Sequence, residues 1–378
     1  MQRDDLGPGA RLALDTIEGR PTTGIPSWML HVMEHSAIER LAGAGAGDYR
    51  REPERVYLAF QRAIGTCMLD QYIPDNPLTM GDRGYEGAEL GPTTGASRIV
   101  VDDMLIDSPE AVCAHMEGHL FPAMSAEIAS FDESARVREI LDYEAGVQAV
   151  LGPGILKAGH SLVRFPGFRY GLYGYANYFM AYALYPEVVE RDFALQADLS
   201  LLHNTAAARA YVEGPLPLFC RMDHDMADSR GTLASVESLE RLWLPHFARC
   251  IAPAVDVSVR LIWHCDGNLM KLFPLLLQAG VVGFQGFQYE CGMDYERICR
   301  MKTRGGEPLL IIAGVSVTRT LPFGTPDDVR SELDWLVRHG PPGNLLLGGT
   351  STITPGVPLR NIEALVEGLR YYRTHSGR

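Results

Sequence analysis

Short apolar runs recur along the chain at 25–32, 67–74, 155–165, 216–222, 257–263, 281–289, 309–315 and 344–347, each short enough to form a buried strand. Between several of them, at 235–253, 269–278, 325–339 and 358–372, apolar residues recur at helical spacing. Strands that alternate with helices predict a parallel sheet, because each crossover returns the chain to the same end of the sheet. Eight such runs predict an α/β fold, a single (β/α)8 TIM barrel. The helix at 325–339 has the best-marked ends. Thr325 can cap it, Pro326 suits its first turn, Asp327 and Asp328 complement its dipole, and Gly340 can end it. Residues 76–152 fit the alternation poorly: a glycine-rich stretch at 81–95 precedes helical segments at 108–116 and 134–150. They read as an insertion over the barrel mouth after the second strand, with a separate small domain as the alternative.

In a barrel of this kind, chemistry gathers at the carboxyl ends of the strands. Those ends carry Asp75 after the second run, Arg164 after the third, Asp223, His224 and Asp225 after the fourth, and His264 and Asp266 after the fifth. Glu290 and Cys291 follow the sixth run, with Ser316 and Thr350 after the seventh and eighth. His264-Cys265-Asp266-Gly267-Asn268 is the densest cluster of reactive groups. Side chains alternate along an extended strand, so His264 and Asp266 should share a side while Cys265 faces away. Two chemistries fit that pair. A divalent metal, zinc first, could be held by His264 and Asp266 with Glu290, Cys291 or Asp225 completing the set. Alternatively, closely spaced carboxylates could share one proton and act as an acid near neutral pH. Arg164, Asp223 and Tyr289 are candidate substrate contacts, Arg164 for an anionic group. The aromatics that follow Arg164, including Tyr173, Tyr175, Tyr178 and Phe179, read mainly as packing.

The chain has 378 residues, 46% of them hydrophobic, and a formal charge of −13. The negative charge argues against nucleic acid or an anionic membrane as partner and favours a small-molecule substrate. The amino terminus lacks an apolar signal core and no stretch is apolar enough to span a membrane, so the expected location is the cytoplasm. Seven cysteines without a CxxC pair form no disulfide scaffold or thiolate zinc site, and most read as small buried hydrophobes. Gly43-Ala44-Gly45-Ala46-Gly47 follows a helix, not a strand, and reads as a turn instead of a phosphate loop. His115 and His119 lack the order of a metalloprotease motif and read as surface residues of a helix.

From about residue 210 onward, six motifs occur in order: Asp223-His224-Asp225-Met226 with Arg230-Gly231-Thr232-Leu233, Trp243-Leu244-Pro245, His264-Cys265-Asp266-Gly267-Asn268, Gly292-Met293-Asp294, Pro322-Phe323-Gly324-Thr325-Pro326-Asp327-Asp328-Val329, and Thr354-Pro355-Gly356-Val357-Pro358 with Asn361-Ile362. In these the chain resembles the uroporphyrinogen decarboxylase superfamily, whose other main branch is the cobamide-dependent methyltransferases. Upstream the similarity rests on Ile25-Pro26, the helix at 53–63 and Pro186-Glu187. The resemblance implies a (β/α)8 barrel with its site at the strand ends.

The decarboxylases grip the substrate carboxylates with an arginine-rich amino-terminal motif, and this chain has Ser27-Trp28-Met29-Leu30-His31 there, which argues against uroporphyrinogen. Asp75 falls near the family's essential aspartate. The methyltransferases hold zinc with His-x-Cys after strand five and a later Cys. Here His264 matches, Asp266 replaces the first Cys, and Gly349-Thr350-Ser351 offers no second. A harder oxygen and nitrogen site from His264, Asp266 and Glu290 is expected in its place. The leading expectation is methyl transfer between a small methylated substrate or corrinoid protein and an acceptor, with methylcobamide as a co-substrate and Asp225 positioning or protonating the substrate. The alternatives are a decarboxylase of another small acid, using Asp75 or Asp225 as acid and Arg164 as carboxylate partner, and a non-catalytic corrinoid- or tetrapyrrole-binding protein. The sequence leaves monomer and homodimer both open.

Overall fold

The computed structural model describes residues 3–75, 80–81, 84–85, 96 and 98–376. The strands that position the site are β1 (Met68–Leu69), β2 (Leu156–Lys157), β3 (Gly159–His160), β4 (Phe219–Asp223), β5 (Arg260–His264), β6 (Gly283–Gln285), β7 (Leu310–Val315) and β8 (Leu345–Gly349). β3 to β8 form one six-stranded parallel sheet in sequence order, curled into a half-barrel. β1 pairs in parallel with β2, which runs into β3 through Ala158. The first apolar run contributes isolated parallel bridges only, from Ser27 to Leu347, Trp28 to Met68 and Val32 to Ile353.

β7 and β8 are buried along their whole length, as expected of parallel strands covered on both faces. The outer face is packed by helices such as Leu244–Asp256, Phe273–Ala279, Pro326–His339 and Leu359–Tyr372. Trp263 of β5 points outward against Trp243 and Phe247, and all three are fully buried. Each such side chain contributes roughly 1.5–3 kcal/mol by leaving water. Pro326–His339 begins and ends as the sequence predicts, with a reciprocal Thr325 and Asp328 capping box and Gly340 at its end.

Within 76–152, the described residues form a hairpin, Val100–Val101 with Met104–Leu105, then the helices Pro109–His115, Phe121–Ala129 and Glu133–Leu151. The helical segments expected at 108–116 and 134–150 are therefore present, whereas most of the glycine-rich stretch 81–95 lies outside the described residues. Glu133–Leu151 leads directly into β2 and is tied to it by a buried ion pair, with Lys157 Nζ 2.8 Å from both Glu144 oxygens. His115 is no surface residue: it is 1% exposed, with Nδ1 2.9 Å from the Tyr173 hydroxyl and Nε2 3.1 Å from Asp102.

The inner face of the sheet carries a charged pair. Because alternate residues share a face, Arg221 and Asp223 of β4 both point inward, away from the side that packs Trp263. Arg221 Nε donates to Asp70 Oδ2 at 2.5 Å and Nη1 to Asp223 Oδ2 at 2.9 Å, while Trp28 Nε1 donates to Asp70 Oδ1 at 2.8 Å. Arg221 and Asp70 are each 2% exposed. Removing the cation leaves two carboxylates facing each other without compensation, which costs about 3–5 kcal/mol when a buried pair is broken. Arg221→Met is expected to lose that much in urea unfolding, and a loss under ~1 kcal/mol would contradict this reading.

Candidate active site

Ligand atoms of Asp225, His264 and Asp266 lie within 4.8 Å of one another just beyond the carboxyl ends of β4 and β5. His264 is paired in register with Asp223 on one side and Gln285 on the other, so it sits in the inward layer of the sheet. β5 ends where Gly267 takes φ +85°, and a Cβ there would stand 2.6 Å from the Asp228 carbonyl oxygen, so the turn requires glycine. Gly286 does the same for His264: its φ is +96° and a Cβ would meet His264 Nδ1 at 2.6 Å.

The backbone amide of Asp266 donates to Asp225 Oδ1 at 2.7 Å, and Ser351 Oγ donates to Asp266 Oδ2 at 3.2 Å. Asp266 Oδ1 is buried without a hydrogen-bond partner. Burial raises the proton affinity of Asp266, with His264 opposing and Asp225 adding to the rise. Cys265 faces away, as the alternation predicts: it is fully buried and its sulfur accepts from the Met226 amide at 3.4 Å. Burial, with Asp225 adding, pushes its thiol far above the ordinary range.

Behind the cluster, Asp223 Oδ1 lies 3.9 Å from His264 Nε2, and its Oδ2 lies 3.7 Å from His160 Nε2. Burial disfavours its charge, but His264, His160 and Arg221 more than offset that and hold the carboxyl well below the usual range. Asp70 is kept ionised in the same way, by Arg221 and His160 against burial. Four carboxylates, Asp70, Asp223, Asp225 and Asp266, thus share this strand-end region with the guanidinium of Arg221 and the imidazoles of His160 and His264. The floor of the site has a deficit of fixed positive charge.

On one flank the site is walled by rings. Phe168 N donates to His224 Nε2 at 2.8 Å, which fixes that imidazole as an acceptor, and burial pushes it down to about 4. His224 stacks on Tyr170, which stacks on Tyr175 and donates its hydroxyl to the Asp225 carbonyl at 3.0 Å. Beside this wall a cavity of about 490 Å³ runs from Asp223 and His224 to Ser161, Arg164 and Ser200.

Of the residues singled out from sequence, Asp225, His264 and Asp266 come together, with Asp223 directly behind them. Glu290 and Cys291 stand outside the cluster. Glu290 is engaged by Thr318 and Ser316, while Cys291 turns toward Gln288 Oε1 at 3.5 Å. Tyr289 donates to the Gly314 carbonyl at 2.9 Å and packs on Tyr295 and Trp335, a structural role. Asp75 is exposed beyond the end of β1, and Asp70 supplies the buried acid of that strand. Asp70, His160 and Arg221 were not foreseen. Arg221 and Asp70 each had a signal, a charged side chain interrupting an apolar run.

No known protein family and no curated protein matches this chain.

Arg164 lines the cavity, where its Nη1 donates to His203 Nε2 at 2.9 Å, a bond that requires this nitrogen to be unprotonated. Burial, then Arg164 and Arg136, push His203 down to about 4, with Glu127 opposing. In the unfolded chain the same imidazole takes its proton near pH 6.5, so the stability tied to the neutral form is complete above that pH and is lost as pH falls toward 4. Allowing for solvent screening, this amounts to on the order of 1 kcal/mol. Urea unfolding at pH 7 and pH 5 should show it, and His203→Gln should remove that part of the pH dependence. An unchanged dependence in the variant would contradict the assignment.

Proposed function

We propose that the chain is a (β/α)8-barrel enzyme of the uroporphyrinogen decarboxylase type, in which Asp225, His264 and Asp266 hold a divalent metal and a small methylated substrate gives up its methyl group. The barrel reading is supported by the parallel bridges at Ser27 and Trp28, which link β8 to β1, and by the β1–β2 pair that leads into β3. The metal reading rests on one observation: three ligand atoms converge within 4.8 Å, one of them on Asp266, whose Oδ1 is buried and unpartnered. An excess of carboxylates over cations on the same floor suits a cation.

Oxygen and nitrogen donors without a thiolate suit a harder ion than the soft zinc site of the methyltransferases, and such an ion, when bound, polarises a substrate oxygen. Around it the chain's own residues do the rest. The Asp266 amide orients Asp225, Ser351 holds Asp266, and Asp223 faces His264 from below. The His224, Tyr170 and Tyr175 wall limits access of water from one flank. The adjoining cavity, about 490 Å³, is of a size for a small molecule. A corrinoid, free or protein-bound, is the expected methyl acceptor.

The raised proton affinity of Asp266 supports a second reading, a protonated carboxyl beside Asp225 acting as the acid of a decarboxylase. The test is calorimetric titration of zinc and manganese into chelator-treated protein, with His264→Ala in parallel. Methyl transfer to cob(I)alamin and carbon dioxide release from small methylated acids would be measured on the same samples. Stoichiometric binding that weakens by about 100-fold in His264→Ala, with methyl transfer dependent on metal, is the expected outcome. Carbon dioxide release at full rate in metal-free protein would replace this reading with the acid one.

A further inference from the structure

The proposed metal cluster makes no use of the strand end next to it. β3 stops at His160, and the next residue, Ser161, is held at φ +53°, in the left-handed region that a non-glycine residue rarely adopts. Strain of this kind persists where the surroundings impose it, and it collects at functional sites. Here the surroundings are visible: the Ser161 amide donates to the Arg221 carbonyl at 3.0 Å, so pairing with β4 fixes the turn. The consequence is that the Ser161 hydroxyl is exposed on the wall of the cavity, 3.4 Å from His160 Nε2. The same nitrogen lies 3.7 Å from Asp223 Oδ2, a carboxylate anchored by Arg221. Arg164, which lines the same cavity, spends its Nη1 hydrogen bond on the neutral imidazole of His203. Glu127 also lines it, with Oε1 3.6 Å from His203 Nε2.

We propose that Ser161 and His160 form a nucleophilic hydroxyl site on the cavity wall, with Asp223 facing the same imidazole nitrogen as the hydroxyl and Arg164 as anchor for a small anionic ester. Ser161 Oγ attacks the carbonyl carbon of the ester, and its proton passes to His160 Nε2. The imidazolium so formed carries its N–H on the nitrogen that faces Asp223. As the ester C–O bond breaks, that proton goes to the departing alcohol oxygen and the acyl group stays on Ser161. Water then adds by the same route, giving its proton to His160, releasing the acid and restoring the hydroxyl. Binding and chemistry use no metal ligand, so this activity stands apart from the proposed methyl transfer.

A small alkyl fluorophosphonate tests it, because only a hydroxyl with a base at hand displaces fluoride from phosphorus at a useful rate. The chelator-treated full chain is incubated with the probe and digested with trypsin. The peptide 158–164 contains Ser161 as its single serine, which makes the adduct assignable by mass. Labelling of that peptide approaching one per chain is expected, lost in Ser161→Ala and slowed about 100-fold in His160→Gln with a native circular dichroism spectrum. Absence of label on 158–164 in the wild-type chain overturns the proposal. So does labelling of a natively folded His160→Gln at the wild-type rate.

Discussion

The guanidinium of Arg221, clamped between Asp70 and Asp223 inside the curled sheet, is the interaction on which the rest of the site depends. Stripping Arg221 and Asp70 of water costs several kcal/mol per ion, and the cost is met because the bonds are short and the fork geometry of arginine serves Asp70 and the more exposed Asp223 at once. The clamp also crosses the fold, since Asp70 directly follows β1 while Arg221 and Asp223 belong to β4, and Trp28, 5.2 Å under the guanidinium, adds the bridge region that precedes β1. Loss of Arg221 leaves the buried Asp70 without its cation, and loss of Asp70 leaves Arg221 with Asp223 alone.

What this clamp delivers to the mouth of the sheet is an ionised Asp223 at a fixed place. Both imidazoles that flank the site, His160 and His264, are within 4 Å of it. Asp223 therefore stands between the two chemistries proposed for this floor. Toward β5 the donors converge as a metal site would require, and toward β3 an imidazole stands beside an exposed hydroxyl. In the stacked rings of His224, Tyr170 and Tyr175, the first two are each fixed by a hydrogen bond as well, and Tyr175 ends the stack at its exposed side.

Much of this was legible in the sequence, and the parts that were not have physical reasons. The runs that became β4 to β8 stood out because parallel strands are buried on both faces and so read as unbroken apolar segments. The ends of Pro326–His339 were readable because capping is local chemistry. The pairing of His264 with Asp266, and the turning away of Cys265, followed from strand alternation alone. Asp70 was hidden because it lies inside the run 67–74, and the strand stops at Leu69, earlier than the pattern implies, which moved attention to the exposed Asp75. Glu290 and Tyr289 look like site residues because they follow β6. A short 3-10 turn, Tyr289–Cys291, rotates them toward β7 and Trp335, away from His264. His115 was misjudged because its burial depends on Asp102 and Tyr173, thirteen and fifty-eight positions away, contacts no local pattern encodes.

The most direct test of the account is the zinc affinity of Asp70→Asn at pH 7. Asp70 belongs to no ligand set and has no contact with His264 or Asp266 among those described, yet its loss frees Arg221 to draw on Asp223 alone and removes a negative charge from the floor. The account predicts that the folded variant binds zinc about tenfold more weakly than the wild-type chain, a difference of ~1.4 kcal/mol. Equal affinity in a variant with native circular dichroism would show that the buried pair holds the sheet together without preparing the site.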